Sequence, residues 1–144
     1  MAKVLAVCVS KNKGEKKTPV ESAVLRQEYG IEGDGHAGTR IRQISLLAWE
    51  SIEKMKSQGL SLDPGSFAEN ITTSGVDLLK LKVGAKLTLG DEVKIEITQI
   101  GKECHDPCAI FRQVGYCVMP EEGVFARVLK GGTLREGDEI RIEQ

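Results

Sequence analysis

The sequence is short of several things, and each shortage narrows what the chain is expected to do. It has no run of about 20 apolar residues, the length a helix needs to cross a bilayer, so no membrane span and no membrane partner are expected. The apolar stretch after Lys3 ends at Ser10 and is followed by Lys11 and Lys13. It is too short for a signal-peptide core and lacks a small-residue cleavage site, which points to a cytoplasmic protein. Nor is there a basic tail or stripe. The 20 Lys and Arg are interspersed with 21 Asp and Glu for a formal net charge of −1, which argues against a nucleic-acid partner held by a broad electrostatic footprint. Cysteines are few: Cys8, Cys104, Cys108 and Cys117. In a reducing compartment they should be thiols and not a disulfide framework.

What is present fits one domain spanning residues 1–144. A chain of 144 residues buries roughly 70% of its unfolded surface and needs no metal or disulfide staple. Strands are expected at Lys3 to Ser10, Arg42 to Leu47, Ile71 to Thr73, Lys86 to Leu89, Val93 to Ile100, Val124 to Leu129 and Glu139 to Glu143. Each is rich in Val, Ile and Leu or bounded by glycine. Val20 to Tyr29 reads as extended, with a short helix as the alternative. Trp49 to Gln58 reads as a helix, because Trp49, Ile52 and Met55 recur at helical spacing and Gly59 supplies a stop. Lys11 to Lys17 reads as a charged loop, Gly30 to Thr39 as a glycine-rich loop and Asp63-Pro64-Gly65 as a turn.

A short repeat supports a strand-rich architecture. Leu87-Thr88-Leu89-Gly90-Asp91-Glu92-Val93-Lys94-Ile95-Glu96 matches Leu134-Arg135-Glu136-Gly137-Asp138-Glu139-Ile140-Arg141-Ile142-Glu143. In both copies a Gly-Asp turn feeds a strand that alternates apolar and charged residues, so one face is buried and one wet. Many short strands of this kind favour a mostly β fold, a closed or partly closed β-barrel with a few short helices, because closure removes exposed edges.

Four motifs could carry chemistry. Gly33-Asp34-Gly35-His36-Ala37-Gly38 satisfies a dinucleotide-binding pattern, but a strand and not a helix follows, so the pyrophosphate site that gives the pattern its mechanism is missing. Asp34 and His36 either bind a ligand or cap the turn. In Cys104-His105-Asp106-Pro107-Cys108, Asp106 and Pro107 form a helix-start signature. Cys108 then falls in a first turn, where free amides and the helix dipole favour a thiolate, the form a nucleophile or metal ligand needs. Cys8, inside an apolar strand, reads as an inert core thiol. Cys104, His105, Cys108 and Cys117 offer a zinc-type donor set, but their spacing is C-x3-C-x8-C and not paired C-x2-C knuckles. Arg127 shares a strand face with Phe125 and Leu129, where its charge must meet a carboxylate or receive an anion.

Taken together, Gly30 to Gly38, Arg42 to Leu47, Phe67-Ala68-Glu69-Asn70-Ile71, the Cys108 segment, Gly123 to Leu129 and Gly137-Asp138 resemble, in order, the MOSC domain. This is the molybdenum cofactor sulfurase C-terminal family, here in a stand-alone, small bacterial-type form. The resemblance implies a barrel like that of the pyruvate kinase barrel domain and a role with molybdenum cofactor (molybdopterin) or sulfur carried to metal centres. It implies Cys108 as the catalytic thiolate, a molybdenum ligand or persulfide acceptor, with Cys104, His105 and Cys117 as accessory groups. It also implies Arg42 and Arg127 as residues that hold the cofactor's anionic group, with His36, Glu69 and Asn70 shaping the pocket.

Sulfurases of the family carry a pyridoxal-phosphate desulfurase domain, and no lysine here has the context to bind that cofactor, so desulfurase activity is not expected. Alternative readings are a cofactor-dependent reductase or sulfurtransferase component working with a cofactor-biosynthesis or sulfur-donor protein, and a non-catalytic metal-binding adaptor.

Overall fold

Short segments that alternate apolar and polar residues cannot bury their apolar side alone, so they assemble into sheets. The computed structural model describes residues 2–12, 16–38, 42–56, 62–101 and 123–143. In chain order these form β1 (Lys3–Val9), β2 (Thr18–Val20), β3 (Ser22–Arg26), β4 (Gly30–Ile31), β5 (Ile44–Ala48), α1 (Trp49–Lys56), β6 (Ile71–Ser74), a 3₁₀ turn (Leu78–Lys80), β7 (Lys86–Leu89), β8 (Val93–Ile100), β9 (Val124–Lys130), β10 (Gly132–Arg135) and β11 (Ile140–Ile142). The fold is mostly β, as expected. The segment after Val20 is extended, which settles the alternative left open by its spacing. Helix α1 carries Glu50 in its first turn and Lys54 and Lys56 in its last, matching the helix dipole.

Eight strands form one mixed sheet in the order β11-β7-β8-β9-β5-β6-β1-β2, and β10-β3-β4 form a second. The pairs are antiparallel except β5 with β6. The large sheet curls until the approach to β11 returns beside β1. There the Val4 amide donates to the Asp138 carbonyl at 2.7 Å, Gly137 to Val4 at 2.7 Å and Ile140 to Ala2 at 3.0 Å. These bonds give the partly closed form of the expected barrel.

Alternation sorts the side chains. Ile44, Leu46, Ile71, Leu87, Ile95, Ile97, Val124, Ala126 and Val128 belong to one interior cluster. Burying a side chain of this size contributes about 1.5–3 kcal/mol. The other face of the same strands is also covered: Cys8, Leu47, Ile52, Phe67 and Phe125 are buried but stand outside that cluster. Polar groups of the candidate site lie on this outer layer.

The sequence repeat turns out to be local. In its first copy β7 and β8 form a hairpin, Leu87 opposite Ile95. In its second copy β10 pairs with β3, while β11 pairs with β7, Leu89 opposite Ile140. The shared feature is the Gly-Asp turn feeding a strand, and tertiary pairing decides the rest.

One interior group is out of place. Thr73 is fully buried on β6, and among the described residues its hydroxyl has no hydrogen-bond partner. A buried unsatisfied hydroxyl costs free energy that an apolar isostere does not. Thr73→Val is therefore expected to raise unfolding stability by about 1 kcal/mol in a denaturant titration. A loss of stability would mean the hydroxyl has a partner in solution.

Candidate functional site

The site is best built from one row that crosses the sheet. Gln99 on β8 lies opposite Phe125 on β9, and Phe125 lies opposite Ser45 on β5. Ser45 meets Asn70, which leads into β6, and Asn70 meets Cys8 on β1: the Asn70 side-chain amide donates to the Cys8 carbonyl at 3.1 Å and the Cys8 amide to the Asn70 carbonyl at 2.6 Å. At the same end Gly101 donates to the Gly123 carbonyl at 2.7 Å. Gly101 and Gly123, the described residues on either side of 102–122, thus sit side by side. Residues 102–122 connect these two points; Cys104, His105, Cys108 and Cys117, with the helix start expected at Asp106-Pro107, lie outside the described residues.

The two arginines expected to hold an anion have different surroundings. Arg127 Nε donates to Glu96 Oε1 at 2.7 Å, and Arg127 Nη1 sits 3.4 Å from Glu28 Oε1. Of the two alternatives its strand face left open, a carboxylate is the one present. Arg42, just before β5, donates from Nε to Gln99 Oε1 at 3.1 Å, and its guanidinium carbon lies 5.4 Å from the Phe125 ring centroid. Gln99 is itself fixed by donating to the Gly101 carbonyl at 2.8 Å. A neutral amide and an aromatic face orient Arg42 without neutralising it. Among the described residues it has no carboxylate partner.

Glu69 and Asn70 tie the loop of residues 62–70 to the sheet. Glu69 is fully buried and accepts from the Gly65 amide (3.0 Å), the Phe67 amide (3.2 Å) and the Thr72 hydroxyl (2.8 Å). Burial pushes its carboxyl above the usual range, against these three donors, which favour the ionised form. Asn70 Oδ1 accepts from the Ser45 amide at 3.0 Å and the Ser45 hydroxyl at 3.3 Å. Between the two clusters Ala68 is held at φ +64°, a conformation rare for alanine that surrounding contacts must enforce.

A second polar cluster was not expected. Lys17, read from sequence as part of a charged loop, is buried with a side chain that is 0% exposed, as is that of Asp34. Its ammonium lies 2.7 Å from Asp34 Oδ1, 3.0 Å from Ser10 Oγ and 3.1 Å from His36 Nδ1. Asp34 also caps its own turn, accepting from the His36 amide at 3.0 Å and from the Ser10 amide at 3.1 Å. Lys17 does lie in a loop, before β2, but it is buried there: an isolated Lys is rarely buried, whereas one with a facing carboxylate can be. The glycines flanking Asp34 were the signal available in sequence. Cys8 lies near this cluster: burial, then Glu69, push its thiol from 9.0 up to about 12, and Lys17 opposes them. Its reading as an inert thiol agrees with this.

Among the described residues no group of three His, Cys, Asp or Glu side chains is placed to hold a metal ion, and no helix is long and apolar enough to cross a membrane. A cleft of about 330 Å³ opens at the opposite ends of β5 and β6, lined by Ala48, Glu50, Ser51 and Gly75 among others. None of the candidate residues lines it.

Comparison with known proteins bears on this arrangement. The family model described as the MOSC domain matches residues 33–141. No curated protein matches the sequence. Among solved structures, the YuaD protein from Bacillus subtilis is similar over 96% of this chain and 93% of its own, with a TM-score of 0.80 and 20% identity. YiiM from Geobacillus stearothermophilus is similar over 100% of this chain and 76% of its own (TM-score 0.75, 19% identity). YiiM from Escherichia coli is similar over 100% and 70% (TM-score 0.69, 18% identity). At these identities the likeness is one of fold.

Proposed function

This chain belongs to the MOSC domain family, and from that premise we propose that it binds molybdenum cofactor or handles sulfur for such a centre, with the Cys108 thiolate as molybdenum ligand or persulfide acceptor. The observation that carries the reading is Arg42: an oriented guanidinium, with no carboxylate partner among the described residues, held by Gln99 at the sheet end where Gly101 and Gly123 flank, in sequence, the segment that includes Cys108. A guanidinium so placed suits a phosphate, which it can grip with two parallel N–H donors. A soft thiolate suits a sulfur-ligated metal. Bound there, the cofactor would supply a redox-active metal whose sulfur ligands can be exchanged. Residues of the chain would do the holding: Arg42 the anionic group, with His36, Glu69 and Asn70 shaping the pocket. A thiolate role for Cys108 fits a reducing compartment such as the cytoplasm.

The test is anaerobic titration with intact molybdenum cofactor, followed by desalting and measurement of retained pterin and metal. The parent chain and Arg127→Gln are expected to retain cofactor. Cys108→Ala should lose it, and Arg42→Gln should weaken retention about tenfold or more, as expected for charge-assisted hydrogen bonds. Retention by Cys108→Ala equal to that of the parent would sink the proposal.

A further inference from the structure

A guanidinium can grip an oxyanion with paired N–H donors from two directions. One is the side, through Nε and one Nη; the other is the end, through both Nη groups. At Arg42 the side is taken. Nε donates to Gln99 Oε1 at 3.1 Å, and among the described residues Arg42 has no other hydrogen bond and no ion pair. One face of the guanidinium looks onto the Phe125 ring, 5.4 Å from Cζ to the centroid. The edge left for paired donation to a ligand is the end formed by Nη1 and Nη2.

Gln99 holds this arrangement in one orientation only. Its Nε2 donates to the Gly101 carbonyl at 2.8 Å while its oxygen faces the Arg42 donor. A flipped amide would set N–H against N–H and oxygen against oxygen. Gly101 is fixed in turn by donating its amide to the Gly123 carbonyl at 2.7 Å. A glutamate at position 99 would lack a donor for the Gly101 carbonyl, and its charge would oppose an anion at the guanidinium. Strand β8 itself supplies the contrast, because three residues earlier it meets Arg127 with a carboxylate, Glu96, at 2.7 Å.

We infer that Gln99 is a positioning residue for Arg42: it occupies the side of the guanidinium and, being neutral, leaves the charge for an oxyanion of the phosphate kind that binds end-on through Nη1 and Nη2. The inference deepens the reading above and rests on it only for the identity of the molecule that carries the oxyanion.

The experiment titrates inorganic phosphate into the full chain labelled at arginine nitrogen, near neutral pH and without cofactor. Guanidinium proton–nitrogen spectra are read at low temperature, and the signals missing in Arg42→Lys identify the residue. The Arg42 Nη signals are expected to shift saturably with phosphate while the Nε–H signal stays near its starting position. In Gln99→Met the side is released, and the Nε–H signal should then move with phosphate as well. A Gln99 that served only to hold Gly101 would leave Nε–H unresponsive in that variant. In Gln99→Glu the phosphate concentration at half-saturation should rise about tenfold or more, the size of one charge-assisted hydrogen bond. The inference is overturned by a parent chain without a saturable Nη shift, or by one whose Nε–H moves as far as its Nη signals. An unresponsive Nε–H in Gln99→Met, or a parental half-saturation point in Gln99→Glu, overturns it too. The parent titration decides by itself if a variant fails to fold. Neither molybdenum nor Cys108 takes part, so failure here is distinguishable from failure to retain cofactor.

Discussion

Asp34→Asn is expected to destabilise the chain by about 3–5 kcal/mol, the range for removing one partner of a buried ion pair. The variant changes one atom, yet it strands the Lys17 ammonium, whose side chain is fully buried. It also disturbs the turn. Asp34 accepts from Ser10 and Lys17 at one oxygen and from the His36 amide at the other. An asparagine has one acceptor oxygen, so its amino group must face an N–H donor at one of those positions. Denaturant unfolding should show a lower midpoint at an unchanged slope. Lys17→Met/Asp34→Asn should lose less than the sum of its single variants, because removing both charges leaves none unpaired. Full additivity would mean that the two groups do not interact.

The same pair should leave a signature in acid. Burial raises the Asp34 carboxyl, but the Lys17 hydrogen bond and charge, with the His36 and Ser10 amides, bring it below its ordinary 3.8. A folded-state value below the unfolded one stabilises at pH above the unfolded value, and that contribution fades as pH falls through the folded value. Glu69 acts in the other sense. Its carboxyl is raised above 4.5, so its contribution is present below that pH and lost as pH rises through the folded value. The parent profile mixes the two. The stability difference between parent and Asp34→Asn isolates Asp34: it should be flat above about pH 5 and shrink on further acidification.

How far these features were legible from sequence depends on how local their causes are. Strands β7 and β8 are legible because each carries its own alternation of buried and less buried residues, and β9 because it is an apolar run that starts after a glycine. Strand β10 was not, since Gly132 and Thr133 weaken its pattern and it exists through pairing with β3, Leu134 opposite Ala23. Arg127 was legible as a charge needing a partner, but Glu96 and Glu28 come from other elements. Glu69 and Asn70 were visible as motif positions. That each spends its oxygens on backbone amides and on Thr72 or Ser45 belongs to the folded loop. Lys17 was hidden for the same reason: Lys16 beside it is exposed, and what distinguishes Lys17 is a carboxylate 17 residues away.

Gly65→Ala is expected to cost about 4 kcal/mol or more, among the largest effects a single methyl group can have. Gly65 joins the two polar clusters through its backbone. Its amide donates to Glu69 at 3.0 Å, and its carbonyl accepts from the Lys17 amide at 2.9 Å. It holds φ +90°, and a Cβ there would overlap the Lys17 carbonyl oxygen and come within 3.3 Å of Cys8 Sγ. A backbone carbonyl cannot swing aside as a side chain can. Moving it would break the Lys17–Gly65 hydrogen bond and draw the ammonium away from Asp34 and His36, so strain at one position would reach both clusters. Gly84→Ala supplies the control, because Gly84 holds φ +97° with no atom within 4 Å of an added Cβ. It should cost only the backbone term, about 1–2 kcal/mol. The excess of Gly65→Ala over Gly84→Ala in denaturant unfolding measures the close approach, and equal losses would show that the loop can yield there without disturbing the buried pair.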